Sequence, residues 1–252
     1  MSTAPTDRGK TTLSEVYERR FPARDEASKR RVWAEIGRYL QRYIPPDALV
    51  LDIGSDAGYF VGSVAAREKV ATDVRDVSAV MPPDVRFVQG NSLALRSLLP
   101  NGYFDIVLMS NFLEHLATGE EVMEQLRIAF DLLVPGGRVI ILQPNIRLVG
   151  GAYWDFIDHK TALTEWSLRE AAELAGFQHH RVVTRFLPYT IKGHLPRARW
   201  LVRLYLAFRP AWFVLGKQTL YIGEKPTALT QETMKERERT ALREYFRNPR
   251  QA

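Results

Sequence analysis

Cysteine is absent from the chain, which removes disulfide staples, thiolate nucleophiles and Cys-ligated zinc from consideration. No basic start runs into an apolar stretch, so no secretory leader is expected, and the lack of cysteine fits a reducing, cytoplasmic setting. No uninterrupted run of about 20 apolar residues occurs, so no membrane-spanning helix is expected. Acidic residues are missing from one whole region. Positions 174–223 hold no Asp or Glu, yet they hold Arg181, Arg185, Lys192, Arg197, Arg199, Arg203, Arg209 and Lys217. Against a formal net charge of only +6, that concentration predicts a local positive potential. It reads either as the seat of an anionic partner or as a solvated basic face. His179, His180 and His194 lack metal-ligand spacing, so no metal is expected. No repeat and no low-complexity tract is found.

What is present is material for one sizeable core: 252 residues, of which 46% are hydrophobic. The most informative segment is Leu49-Val50-Leu51-Asp52-Ile53-Gly54-Ser55-Asp56-Ala57-Gly58. An apolar run meets a carboxylate, then a glycine turn. That is the pattern of a buried strand entering a tight turn and a helix, where backbone must approach a ligand without a Cβ in the way. The dinucleotide fingerprint G-x-G-x-x-G is not met, because Asp56 stands between Gly54 and Gly58.

Further along, Lys69–Asp73 reads as a second strand ending in a carboxylate, about 20 residues after the turn, the spacing of an acid that grips ribose hydroxyls. Val85–Asn91 reads as a third strand, and Phe104–Met109 as a fourth running into Ser110-Asn111-Phe112-Leu113-Glu114-His115-Leu116. Leu133–Gly137 reads as a turn and Arg138–Leu142 as a fifth strand. His180–Thr184 and Thr219–Gly223 read as a closing antiparallel pair. Helices are expected over 26–43, with Trp33, Ile36, Tyr39, Leu40 and Tyr43 on one stripe, and over 119–133, with Val122, Leu126, Phe130 and Leu133 inward. A short helix over 167–175 is expected, with Ser167 and Glu170 as a capping box and Gly176 as its stop.

The Asp52–Gly58 turn resembles motif I of the class I S-adenosylmethionine (SAM) methyltransferases, with Asp56 in place of the middle glycine, and the other elements follow in the order of that family. The resemblance spans roughly residues 12–224 and is nearest to bacterial small-molecule enzymes of the ubiquinone-type group. Tyr153-Trp154-Asp155-Phe156-Ile157-Asp158-His159 and Arg185-Phe186-Leu187-Pro188-Tyr189 resemble a subgroup associated with bacterial glycan synthesis. It implies an α/β Rossmann-like seven-stranded sheet with helices on both faces, an antiparallel C-terminal hairpin and an N-terminal helical cover. The expected divisions are a disordered 1–11, a methyltransferase domain over 12–224 with an insert at about 185–217, and a charged helical tail over 225–252.

The same resemblance implies SAM as cofactor, S-adenosylhomocysteine as its product, and a set of contacts. Asp73 suits the ribose diol, since a carboxylate accepts two hydrogen bonds. Asn91, with Ser92 beside it, either reads the adenine edge or stabilises its own turn. Gly54, Ser55 and Gly58 shape the loop, Asp52 orders it, and Asn111 lines it from the fourth strand. Asp56 either meets the cofactor's amino group or degrades the site.

A hydroxyl acceptor must lose a proton, and histidine suits that task. His159, in an aromatic loop after Asp158, is the first choice for general base, and His115 the second. Acceptor contacts are expected from Tyr17, Arg20, Asn145, Tyr153, Trp154, Arg185 and Tyr189. Ser110-Asn111-Phe112-Leu113 lacks the Asn/Asp-Pro-Pro-aromatic signature associated with nucleobase amines, which favours a hydroxyl or carboxyl acceptor.

Residues 199–215 combine aromatics with arginine. They read either as a helix packed on the sheet or as one lying in a membrane interface. The leading expectation is O-methylation of a small molecule or a glycan or lipid-linked intermediate. An RNA methyltransferase and a non-catalytic scaffold protein are the alternatives, and the RNA reading lacks a recognisable RNA-binding module.

Overall fold

The computed structural model describes residues 26–189, 198–228 and 232. Tyr17, Arg20, Lys192, His194, Arg197, the 1–11 segment and the tail past 228 (apart from Glu232) lie outside the described residues.

Five apolar strands form a parallel sheet: β1 (Leu49–Ile53), β2 (Glu68–Asp73), β3 (Arg86–Gln89), β4 (Phe104–Ser110) and β5 (Leu133–Pro144). Two more, β6 (Gln178–Leu187) and β7 (Gln218–Glu224), complete the order β3-β2-β1-β4-β5-β7-β6. β7 runs antiparallel to both neighbours. The sheet direction changes sides between β1 and β4, which opens a crevice at their carboxyl ends.

Alternation along each strand feeds two cores, one per face. Leu51, Ile53, Val107, Met109, Val139 and Ile141 meet the helices α3 (Gly119–Leu132) and α5 (Glu165–Leu174); the short helix α2 (Leu95–Leu98) lies beside α3, and the short helix α4 (Ile146–Val149) follows β5. Val50, Ala71, Ile106, Leu108, Ile140 and Leu142 face the other way. They pack under α1 (Glu26–Leu40), α6 (Arg199–Ala207) and α7 (Arg209–Leu215). α3 begins where the Thr118 side chain accepts the Glu121 amide, satisfying one of the helix's open donors.

Three expectations are corrected. Leu133–Gly137 is not a free turn but the start of β5. Leu133 pairs with Phe104, and the Gly136 amide donates to the Lys225 carbonyl, so the segment runs along the sheet. The cap of α5 is Thr164, whose hydroxyl accepts the Ser167 amide while the Ser167 hydroxyl accepts the Thr164 amide; Glu170 takes no part in the box. The segment 199–215 is two helices, because Pro210 cannot continue α6 and instead opens α7.

Candidate active site

The loop after β1 owes its shape to two glycines. Gly54 and Gly58 hold φ of +68° and +66°. A Cβ on Gly54 would lie 2.2 Å from the Phe112 ring, and one on Gly58 would lie 2.5 Å from Met81 Sδ. No other residue fits either position. Phe112 thus seals the β1 loop against the turn after β4. Asp56 takes φ of +48°, the left-handed region that glycine favours and that aspartate tolerates better than most residues.

Asp73, at the end of β2, faces this loop. Its Oδ2 accepts the Asp56 amide at 3.1 Å, and its Oδ1 accepts the Arg75 amide at 2.9 Å. Arg75 reaches back to bridge two acids: Nε donates to Asp73 at 3.1 Å and Nη2 to Asp56 at 3.0 Å. Sequence reasoning missed Arg75, and only its place two residues after a carboxylate could have hinted at it. The guanidinium presents paired N–H donors to Asp73 as a ribose diol would present paired O–H donors, so the carboxylate fits the sugar of SAM. The glycine cradle and this acceptor pair together fit the cofactor.

Asp52 lies beneath, buried, with Oδ2 accepting the Val61 amide at 3.1 Å. Burial pushes its carboxyl up to about 8; the Val61 amide opposes this and the charge of Asp73 adds to it. Ser55 is also buried, its amide donating to the Thr72 carbonyl. The Asn91 side chain accepts the Leu93 amide at 2.9 Å and caps the 3-10 turn Ser92–Ala94. Asn111 takes a left-handed φ of +48° and donates its amide to the Leu142 carbonyl at 2.8 Å, so it turns the chain out of β4 beside β5.

The 3-10 turn Leu113–His115 follows. Lys160 and Thr161 amides both donate to the Glu114 carbonyl, which fastens the loop after β5 to this turn. The result brings together residues far apart in sequence. The His115 and His159 rings lie 5.2 Å apart, and Tyr153 and Phe156 rings lie 4.7 and 5.1 Å from His159. Tyr189 meets Phe156 and Trp154 meets Tyr153.

His115 Nδ1 lies 3.0 Å from the Asp158 carbonyl oxygen. A carbonyl only accepts, so Nδ1 carries the proton in this pairing and Nε2 of the neutral ring carries the lone pair. The Asp158 carboxylate is 3.5 Å from the same nitrogen. His159 is 7% exposed, whereas the His115 side chain keeps 22%.

Glu114 completes the group. It is buried, its Oε2 has no hydrogen-bond partner, and burial pushes its carboxyl up, which a protonated His115 would oppose. Ligand atoms of Glu114, His115 and His159 lie within 4.8 Å of one another. That spacing is longer than a direct hydrogen bond, so a proton passing between them would need a bridging water or a small inward shift. To share a zinc-like ion they would need to draw in, since tetrahedral donors sit about 3.4 Å apart.

Other expected contacts are engaged in the framework. The Asn145 amide group donates to Glu165 at 2.7 Å and to Thr219 at 3.1 Å. Tyr153 is fully buried and donates its hydroxyl to the Thr161 carbonyl; burial raises its pKa well above the usual phenol range. Arg185 donates to the Phe213 and Gly216 carbonyls at the end of α7. A separate hollow bounded by Pro45, Arg67, Asp105 and Arg138 lies at the amino ends of β1, β4 and β5, on the opposite edge.

Comparison with known proteins fits this geometry. A family model described as a methyltransferase domain matches residues 25–185, and the chain belongs to that family. It is a class I SAM-dependent methyltransferase. No curated protein matches the chain.

Solved structures share the fold at low identity. A SAM-dependent methyltransferase from Archaeoglobus fulgidus is 20% identical over 85% of this chain and 100% of its own, with a TM-score of 0.58. A Haloferax volcanii methyltransferase, solved with a methyltransferase activator, is 17% identical over 86% and 100%, with a TM-score of 0.61. One from Mesorhizobium loti is 17% identical over 76% and 97%, with a TM-score of 0.55.

Proposed function

We propose that this methyltransferase methylates a hydroxyl group of a small molecule or a glycan or lipid-linked intermediate, with the paired imidazoles of His115 and His159 taking up the proton. The observation that carries the reading is the His115–Asp158 contact at 3.0 Å beside a second histidine, on the loop that Phe112 joins to the cofactor cradle. SAM when bound supplies an electrophilic methyl group.

The protein's own residues do the rest. Asp73 holds the sugar once Arg75 yields its place, and Asp56 keeps Arg75 near when it does. Asp158 fixes the His115 tautomer so that Nε2 can accept a proton. His115, the more open ring, is the base, and the buried His159 positions it. This reverses the order expected from sequence, and burial is the reason. Phe156, Tyr153 and the aromatics around them exclude water from the proton-transfer step. Trp154 and Tyr189 remain the described candidates for touching the acceptor, while Asn145, Tyr153 and Arg185 support the site from behind.

One observation weighs against the scaffold alternative. The left-handed Asp56 preserves the loop's glycine-like path, which a degenerate scaffold would have no need to keep.

The test is mass spectrometry for a gain of one methyl group across candidate acceptors, with His115→Ala and His159→Ala alongside the parent protein. His115→Ala is expected to lower kcat by about 10²–10⁴-fold with SAM affinity unchanged. His159→Ala should cost less. Full turnover in His115→Ala would reject the assignment.

A further inference from the structure

Among the described residues, the helical pair α6–α7 packs against the protein through one face. Leu206 and Trp212 are buried, Trp212 meets Tyr39 and Phe186 edge-on, and Tyr205 donates to the Phe186 carbonyl at 2.8 Å. The outer face is nevertheless apolar. Trp200 and Leu204 on α6 and Phe208 just past its end recur every four residues and are 66%, 57% and 58% exposed. On α7, Phe213 and Val214 are 75% and 73% exposed. A helix that needed only water on this side would carry polar residues there.

Charge narrows the occupant. The surrounding sequence, 174–223, offers no carboxylate. Arg185 stacks over Phe213 at 5.4 Å and Arg209 over Trp212 at 6.0 Å, so cations sit among the aromatic rings. Arg199 and Arg203 flank the stripe; Glu35 of α1 pairs with both from beneath, yet their side chains stay 53% and 61% exposed, so each keeps N–H donors open to the surface. A second copy of the chain would bring the same cations against them, and like charges would meet. Nucleic acid would leave the apolar stripe without a partner. An anionic bilayer surface satisfies both components, with rings at the headgroup–acyl boundary and guanidiniums at the phosphates.

Topology ties the face to the site. β6 ends at Leu187 and β7 begins at Gln218, which pairs with Leu187 on one side and with Pro144 at the end of β5 on the other. Helices α6 and α7 therefore leave and rejoin the sheet at its ligand-binding edge.

We infer that the outer face of α6–α7 docks this methyltransferase on an anionic membrane surface, where it meets an acceptor held by lipid. The acceptor clause rests on the function proposed above; the docking does not.

The experiment is vesicle flotation of the full chain, with phosphatidylcholine alone and with added phosphatidylglycerol. The protein is expected to float with the anionic vesicles, to be released by salt, and not to float with the neutral ones. Trp200→Ser with Phe213→Ser should lower the bound fraction about tenfold or more while leaving the melting temperature and SAM binding unchanged, since both positions are exposed. The inference is overturned by absence of flotation, by flotation that the double variant does not weaken, or by a dimer in solution that the double variant splits. Loss of flotation with SAM binding and methyl transfer intact would remove the surface and leave the catalytic reading standing. Flotation without SAM binding would do the reverse.

Discussion

At the scale of single residues, the cofactor loop shows how one substitution in a motif can be absorbed. Asp56 takes a left-handed backbone conformation of the kind glycine favours, and its carboxylate gains a partner in Arg75. Two acids facing one crevice would otherwise repel, and the guanidinium between them offsets that. Asp56→Ala is expected to lower SAM affinity several-fold in calorimetric titration; unchanged affinity would remove Asp56 from the binding set. Asp52 makes a different kind of prediction. Its folded-state value near 8 stands above the ordinary 3.8, so its neutral form favours the fold. That stabilisation is full below about pH 4 and is lost as pH rises through about 8. Urea unfolding of Asp52→Asn should accordingly vary less with pH over this window than unfolding of the parent protein.

At the scale of elements, legibility tracked how local the cause was. Strands β1, β2 and β4 could be read because each is an apolar run closed by a turn or a carboxylate. The break at Pro210 and the Thr164 cap are also local, and they were missed because stronger-looking signals lay beside them: a continuous aromatic stretch, and a Ser-x-x-Glu pattern. The seat of α6 was not legible. It depends on Glu35 of α1, which is buried and bonded by Arg38, Arg199 and Arg203. Burial would raise the Glu35 carboxyl, but Arg203, Arg199 and Arg38 overcome it and hold the group down at about 2. Its contribution is present above the ordinary 4.5 and is lost as pH falls toward 2. Because the arginines are half exposed, Glu35→Gln should cost only about 1–2 kcal/mol, seen as a lower melting temperature at pH 7 that converges on the parent's in acid.

At the scale of the whole molecule, the proposed SAM cradle is assembled from β1, β2 and β4 together, so cofactor binding there would be linked to folding through the sheet edge. A ligand that binds only the folded state adds about 2.7 kcal/mol at one hundred times its Kd. For a chain of this size that corresponds to a rise of about 5–10 °C in melting temperature. SAM should give such a rise with the parent protein and little with Asp73→Ala, and a parent protein indifferent to SAM would refute the cradle. The same edge also carries α6–α7, so catalysis and surface attachment would share one side of the molecule.

The sequence alone determined the order of the strands and of the three longest helices, the glycine turn after Asp52 and the strand-end acid at Asp73, because periodicity, turn chemistry and spacing act over a few neighbouring residues. Only the tertiary structure decided that Arg75 bridges Asp56 and Asp73, that His115 and His159 face each other beside Glu114, and that one face of α6–α7 is left bare. Those arrangements depend on which distant segments the sheet brings to one edge. A contact between residues far apart in the chain has no signature in either segment taken alone.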